Sequence, residues 1–562
     1  MFDTYRMVGE AAREIDERKN GESAARFTLY GGLDRNWSRS GGAVTTAGVA
    51  LAEMPVPPLR RPLGPAAYWQ RQLRFGLAGN TVEPLVDGPA AFGAIRRAIE
   101  SAADRTHFVY LLGWWVDPWV NLQGPGTSLL DLFMRVGARG VQVRVLIWDA
   151  PRLIFGEHSK LHDAAVTAIN RLPNCHAQQD AGGGLTSSRS HHQKLLVVQG
   201  RDGLVALCGG VDVNADRLYD LPPPPGSYRS DRPAVGWTGS SGSGSGSGGS
   251  GPRGSGNPLH DVHARLSGPT ALPLLRAFLR RWWARSGDRR IDGRSPLRGR
   301  YGQSVPARAG RQFVRVGETF NGVLRPPGGN VRSREVTVQD IWLRSILGAR
   351  RFIYIEEQYL VSDCAAAAIR AVLPRLAHVT ILIPPSEITD LPGVWERRRA
   401  FLERITKGNP HAGKLHVYTR TVGQRRPCVR ANAPHLYVHS KMAVIDDELA
   451  LIGSANCNNR GWETDSELVV ASFEDAHGMS CVAGRLRAKL WAHHLGTSPA
   501  AVVDGVRSRG LWDTAPTRQV CRYDPGGRDP FGSNRPDSIT DPSDRRPGDP
   551  CRTLLPAARR SG

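Results

Sequence analysis

Leu436-Tyr437-Val438-His439-Ser440-Lys441-Met442-Ala443-Val444-Ile445-Asp446 runs through a short turn into Leu449-Ala450-Leu451-Ile452-Gly453-Ser454-Ala455-Asn456. Side chains alternate across a strand, so His439 and Lys441 lie on one face of an otherwise apolar, β-branched run. They share one pocket. Gly453-Ser454-Ala455-Asn456 closes the hairpin with small residues that let backbone, and a phosphate, come close. A lone His-x-Lys reads as an ordinary strand histidine, so the presence of a second copy decides the matter. His192-Gln193-Lys194-Leu195-Leu196-Val197-Val198 is that copy, with Leu204-Val205-Ala206-Leu207-Cys208-Gly209-Gly210-Val211-Asp212 as its hairpin partner. Matched hairpins point to a repeated architecture.

The surroundings repeat as well. In the earlier half, helical spacing of Phe92, Ile95 and Ile99 is followed by the buried run Phe108–Leu112, a helix around Leu129–Val136 and the strand Val141–Trp148. The later half has a helix over Val338–Leu347, a strand Phe352–Ile355, a helix Ala365–Leu376 and a strand Val379–Ile383. From Phe108 to His192 is 84 residues, and from Phe352 to His439 is 87. Helix alternating with strand implies largely parallel sheets covered on both faces. The expected fold is α/β, with two similar α/β/α sandwich halves, each with a mostly parallel sheet, packed as a pseudo-two-fold pair with the active site between them.

The expected organisation is an irregular N-terminal extension (1–77), a first half (78–285), a basic linker (286–335), a second half (336–500) and a C-terminal tail, partly disordered (501–562). The first half carries a flexible insertion at 221–258, where four prolines follow Leu221 and Thr238–Gly256 is almost wholly Gly and Ser. Leu275, Phe278, Leu279 and Trp282 mark an amphipathic helix. Trp282 and Trp283 with the arginines beside them could touch a membrane, but core packing is the preferred reading.

The 562 residues carry 74 Lys plus Arg against 52 Asp plus Glu, a net charge of +22 that favours anionic partners such as phospholipid surfaces or nucleic acid. Arg276–Arg315 alone holds twelve Arg and two Asp. The eight cysteines form no Cys-x-x-Cys pair, so neither a zinc ribbon nor a dense disulfide framework is indicated. The charged opening lacks a signal-peptide core, and no apolar run has membrane-spanning length. The expectation is a cytoplasmic, monomeric protein that is peripheral at membranes and has no transmembrane segment.

Neutral imidazole is a competent nucleophile and proton carrier near pH 7, so two facing histidines can split phosphodiester cleavage into two displacements. Lysines beside them would hold the non-bridging oxygens. No metal or other cofactor is required. His260 and His263 are no metal pair, because three residues along a strand their rings point to opposite faces.

The set His-x-Lys, Asp446 seven residues after His439, and Gly-Ser-x-Asn resembles the signature of the phospholipase D superfamily. Tyr354-Ile355-Glu356-Glu357-Gln358-Tyr359, His260-Asp261-Val262-His263-Ala264-Arg265-Leu266 and Gly209-Gly210-Val211-Asp212 are similar to phospholipase D proper. The resemblance covers roughly residues 78–500. It implies His192, Lys194, His439 and Lys441 as catalytic, with Asp261 and Glu467 each bonding a catalytic His, and a structural role for Asp446. Asn456 and Ser454 are expected at the phosphate, with Asp212 as a further site member.

Three positions depart from the pattern: Gln199 stands where the first copy would have Asp, Asp212 where the second copy has Asn456, and Glu357 in place of Asn. Gln199 is expected to make equivalent hydrogen bonds. The implied activity is hydrolysis of a glycerophospholipid at a membrane surface to phosphatidic acid and headgroup alcohol through a phosphohistidine, with transphosphatidylation. The alternatives are a cardiolipin synthase-like phosphatidyltransferase, a nucleic-acid phosphodiesterase, and a catalytically decayed anionic-lipid binder.

Overall fold

The structure is a computed structural model and describes residues 63–151, 156–180, 189–218, 259–286, 305–324, 331–385, 393–421, 436–514, 519–526 and 541–555. The insertion expected at 221–258 lies outside the described residues.

Apolar runs supply the strands. The first half contributes β1 (Leu77–Val86), β2 (Phe108–Gly113), β3 (Gln142–Trp148), β4 (Cys175–Asp180), β5 (Leu195–Gly200), β6 (Gly203–Gly209), β7 (Leu259–His260) and β8 (Val262–Ser267). The second contributes β9 (Gln312–Leu324), β10 (Val331–Val336), β11 (Phe352–Glu357), β12 (His378–Leu382), β13 (Leu415–Arg420), β14 (Tyr437–Val438), β15 (Lys441–Ile445), β16 (Leu449–Gly453), β17 (Glu467–Phe473) and β18 (Val520–Arg522).

The order β4-β3-β2-β5-β6-β8-β1 continues into β9-β17-β16-β15-β11-β12-β13-β18, with β10 paired to β9. The halves thus run through one strand order and join as a single sheet. The expected parallel pairing holds for β2-β3-β4 and for β11-β12-β13. Elsewhere each half is antiparallel, as the tight β5-β6 and β15-β16 turns require.

Three expected boundaries shift. The stretch read as a basic linker contains β9, which pairs with β17 along its length and with β1 at the junction. Arg315 and the buried Glu318, set among Val314, Val316 and Phe320, disguised a strand. The N-terminal extension ends in a helix, Pro65–Gln72, whose buried Trp69 donates to Glu448 Oε2 at 2.9 Å. In the tail, Asp541 accepts from Arg460 N–H at 2.9 Å, Arg334 pairs with Asp549 at 2.7 Å, and Cys551 is disulfide-bonded to Cys364. Cysteine spacing gave no hint of a bridge across 187 residues.

One apolar cluster is shared by the halves and takes in Phe278 and Trp282 on the helix Ala271–Ser286 and Trp491 on the helix Val482–Leu495. Trp282 is therefore core. Each half adds a second cluster of its own.

Candidate active site

Two matched backbone contacts bring the motifs together. β7 runs parallel to β14, pairing Val438 with His260, and the next amide, His439 N–H, donates to His260 C=O at 2.8 Å. On the other side His191 bridges in parallel to Ser466, and His192 N–H donates to Ser466 C=O at 2.9 Å. Each histidine is thus set beside the acid that follows its partner in the opposite half. His439 Nδ1 lies 2.6 Å from Asp261 Oδ2, and His192 Nδ1 lies 2.8 Å from Glu467 Oε1. The His439–Asp261 pair is buried, and His192 is partly buried over a buried Glu467. A carboxylate on Nδ1 fixes the tautomer and leaves Nε2 for chemistry.

The lysines follow the same rule. Lys194 Nζ donates to His192 C=O at 2.8 Å, and Lys441 Nζ donates to His439 C=O and to Gln358 Oε1. Burial pulls both imidazoles well below their ordinary range, helped by Lys194 and Lys441 at His192 and by Lys441 and Arg217 at His439. They are neutral at pH 7. Burial likewise lowers Lys441 to about 7 and raises Asp261 to about 6, the latter opposed by Lys441 and Arg217. His192 also acts electrostatically on His439, and Lys194 on Lys441, so the sets from both halves form one site.

The family profile described as Phospholipase D matches residues 98–298 and 410–509, more than half of the chain and both histidine sets. The chain belongs to the phospholipase D family. Among curated relatives, phospholipase D alpha 1 of Cynara cardunculus is 25% identical over 71% of this chain and 63% of its own length. The enzyme of the same name from Ricinus communis is 24% identical over 74% and 65%. The chain thus spans less than two thirds of the length of these relatives. A crystal structure of phosphatidylserine synthase from Haemophilus influenzae Rd KW20 superposes over 88% of this chain and 97% of its own, with a TM-score of 0.49 at 12% identity.

Within this phospholipase D family site, the remaining sequence-derived residues fall into distinct places. Asp446 accepts from the backbone N–H groups of Arg350, Arg351 and Phe352 at 2.7–2.9 Å, away from the histidines. Gln199 does not reproduce this: its Oε1 is buried without a hydrogen bond, and its amide reaches only Gly200 C=O at 3.4 Å. An amide one methylene longer has no three-donor turn to enter. Ser454 stands behind the phosphate position rather than on it. Its hydroxyl donates to Glu467 and accepts from Leu468 N–H, and its carbonyl is 3.1 Å from His192 Nδ1. Asp212 accepts from Trp114 and Trp115 N–H at 3.1 Å and lies 3.4 Å from Lys194, so it is that lysine's counter-ion. Asn456 is buried with Oδ1 unbonded.

Sequence reading missed Arg217, buried 4.0 Å from Asp212, and Trp114, whose ring meets His192 edge-on at 5.4 Å. Both adjoin Gly209-Gly210-Val211-Asp212 or pair with it, which was the available signal. The second carboxylate of Glu356-Glu357 accepts from Tyr359, Leu360 and Cys457 N–H at 2.7–3.0 Å and so ties the Asn456 turn to β11.

Proposed function

We propose that this chain is a phospholipase D-like phosphodiesterase that cleaves a glycerophospholipid to phosphatidic acid and the headgroup alcohol. The observation that carries this reading is the pair of histidines, each held on Nδ1 by a carboxylate from the opposite half. In the first step His192 Nε2 attacks phosphorus while the P–O bond to the headgroup breaks and His439, which has taken up a proton on Nε2 as the anionic phosphodiester enters, gives that proton to the departing alkoxide. In the second, His439 takes a proton from water, whose oxygen attacks the phosphohistidine and frees His192. An alcohol in place of water gives transphosphatidylation. Lys194 and Lys441 hold the non-bridging oxygens, and the arriving phosphate anion draws Lys441 back to its charged form.

A lipid surface is the proposed partner, in keeping with the net charge of +22; among the described residues no helix is long and apolar enough to cross a membrane. The Cys364–Cys551 bridge favours an oxidising compartment over the cytoplasm expected from the sequence.

Mass spectrometry of products from mixed-lipid vesicles, with and without ethanol, tests the reading. Phosphatidic acid, replaced in part by phosphatidylethanol when ethanol is present, is the expected result. Cardiolipin formed from phosphatidylglycerol would identify a phosphatidyltransferase instead, and cleavage of DNA or RNA with no lipid product a nuclease. Vesicle binding without any product would leave a lipid-binding protein.

A further inference from the structure

Beneath His439 the halves meet at a closed chain of buried polar groups. His260 Nδ1 is 2.6 Å from Asp87 Oδ1 and its Nε2 is 2.7 Å from Glu356 Oε2. Glu356 also accepts from Tyr354 OH at 2.5 Å and Ser440 Oγ at 3.0 Å, and lies 2.9 Å from His494 Nε2. Arg420 closes the chain 3.0 Å from His494 Nδ1.

Atoms of His260, Glu356 and His494 lie within 4.8 Å of one another, close enough for a divalent cation. Proton accounting excludes that reading. Guanidinium only donates, so His494 Nδ1 is the acceptor, and the ring's one proton sits on Nε2, facing Glu356. That nitrogen has no lone pair for a metal. His260 has a carboxylate on each nitrogen, so both carry protons and the ring is an imidazolium. Burial opposes this charge, but Asp87 and then Glu356 outweigh it and raise the pKa to about 10.

The ion sits where two catalytic elements cross. Its own carbonyl accepts His439 N–H at 2.8 Å. Asp87 Oδ1 takes the Asp261 N–H at 3.2 Å as well as the ring, and Asp87 N–H donates to Asp261 C=O at 2.8 Å. Ser440, beside His439, is tied to the other carboxylate through Glu356. Asp261 and the imidazole it orients are thereby fixed in one frame. In the other half Ser466 takes the place of His260, and its hydroxyl meets His191 Nδ1 at 2.7 Å.

We propose that His260, clamped as an imidazolium between Asp87 and Glu356, is a positioning residue that holds the Asp261–His439 pair in the geometry needed for proton transfer. The proposal rests on His439 being the acid and base of the reaction proposed above.

A phosphatidyl ester of p-nitrophenol separates the steps, because its phenolate leaves without a proton while hydrolysis of the phosphohistidine still needs a base. Full-length Glu356→Gln should give a nitrophenol burst within about 3-fold of wild type and a steady-state rate lower by about 10- to 100-fold, with kcat/KM little changed and KM falling along with kcat. The covalent adduct should accumulate in intact-mass spectra. His439→Ala should show the same pattern more strongly. If circular dichroism shows that Glu356→Gln does not fold, Ser440→Ala carries the test, with the same selective loss at about 5-fold. Burst and turnover falling together, or neither falling, overturns the proposal. A wild-type chain that releases nothing from either ester overturns the proposed function instead.

Discussion

The pockets of His192 and His439 are built by one backbone device and finished with different side chains. In both, a residue preceding the acid offers its carbonyl to the histidine's amide, Ser466 for one and His260 for the other. Behind His192 hydroxyls make the nearest contacts, Ser454 to Glu467 and Ser466 to His191, and the ion pair of Asp180 with Arg281 lies one residue further out, on the other nitrogen of His191. Behind His439 the filling is ionic, with His260 between two carboxylates. The position matching Ser454 is Gly210, where a Cβ would come within 2.0 Å of Asp261 Oδ1. The difference teaches that the paired strands carry the catalytic geometry and leave each half free to support it with its own polar groups.

The comparison breaks first if the histidines are unequal partners. His192→Ala and His439→Ala should each lower turnover by roughly 10⁴-fold or more, since members of one catalytic unit cannot be removed separately. Phospholipid hydrolysis followed by mass spectrometry would show it, and substantial activity in either variant rules out a two-histidine mechanism. The acids come next. Glu467→Gln and Asp261→Asn should each cost roughly 10²- to 10⁴-fold in kcat, because an amide on Nδ1 no longer fixes the tautomer or stabilises the imidazolium. Similar losses confirm that the two acids are equivalent, whereas a loss confined to one would show that the proton is carried at a single histidine.

The ionic and hydroxyl pockets should also differ in pH response. His260 has a folded-state pKa of about 10 against an ordinary 6.5, so it adds stability that is fully present below about 6.5 and lost as pH rises through about 10. Lys441, lowered to about 7, works in the opposite sense over the same range, because the fold prefers its neutral form. The quantity to measure is therefore the difference in Tm between wild type and His260→Gln. It should be largest near pH 6 and shrink toward pH 10, whereas a difference independent of pH would mean that His260 is neutral.

The proposed catalytic set was legible because strand alternation and a repeated motif are local signals: the pairing of His192 with Lys194 and of His439 with Lys441 needed no coordinates. Asp261 and Glu467 were legible as acids opening apolar strands, and the structure adds that each serves the opposite half. Asp87, Glu356 and His494 were not legible, since a carboxylate on a helix, a carboxylate on a strand and a histidine on a distant helix become one network only through packing. β9 was hidden for another reason: its one arginine, Arg315, and its one glutamate, Glu318, break up the apolar run in a stretch whose net charge suggested a solvated linker.

The smallest expected effect concerns the position seven residues after each histidine. Asp446 is itself buried, has a left-handed backbone, φ 59°, and gathers three N–H groups, those of Arg350, Arg351 and the buried Phe352. Asp446→Ala should therefore lower unfolding free energy by about 2–4 kcal/mol, chiefly through the donors it strands. Gln199 makes one long contact and buries an unbonded oxygen, so Gln199→Leu, which removes the polar group without opening a cavity, should fall within about 0.5 kcal/mol of wild type or be stabilising. Urea denaturation of both variants checks the pair. A loss at Gln199 comparable to that at Asp446 would mean that the glutamine has taken over the turn after all, and the two hairpins would then be alike where the structure makes them different.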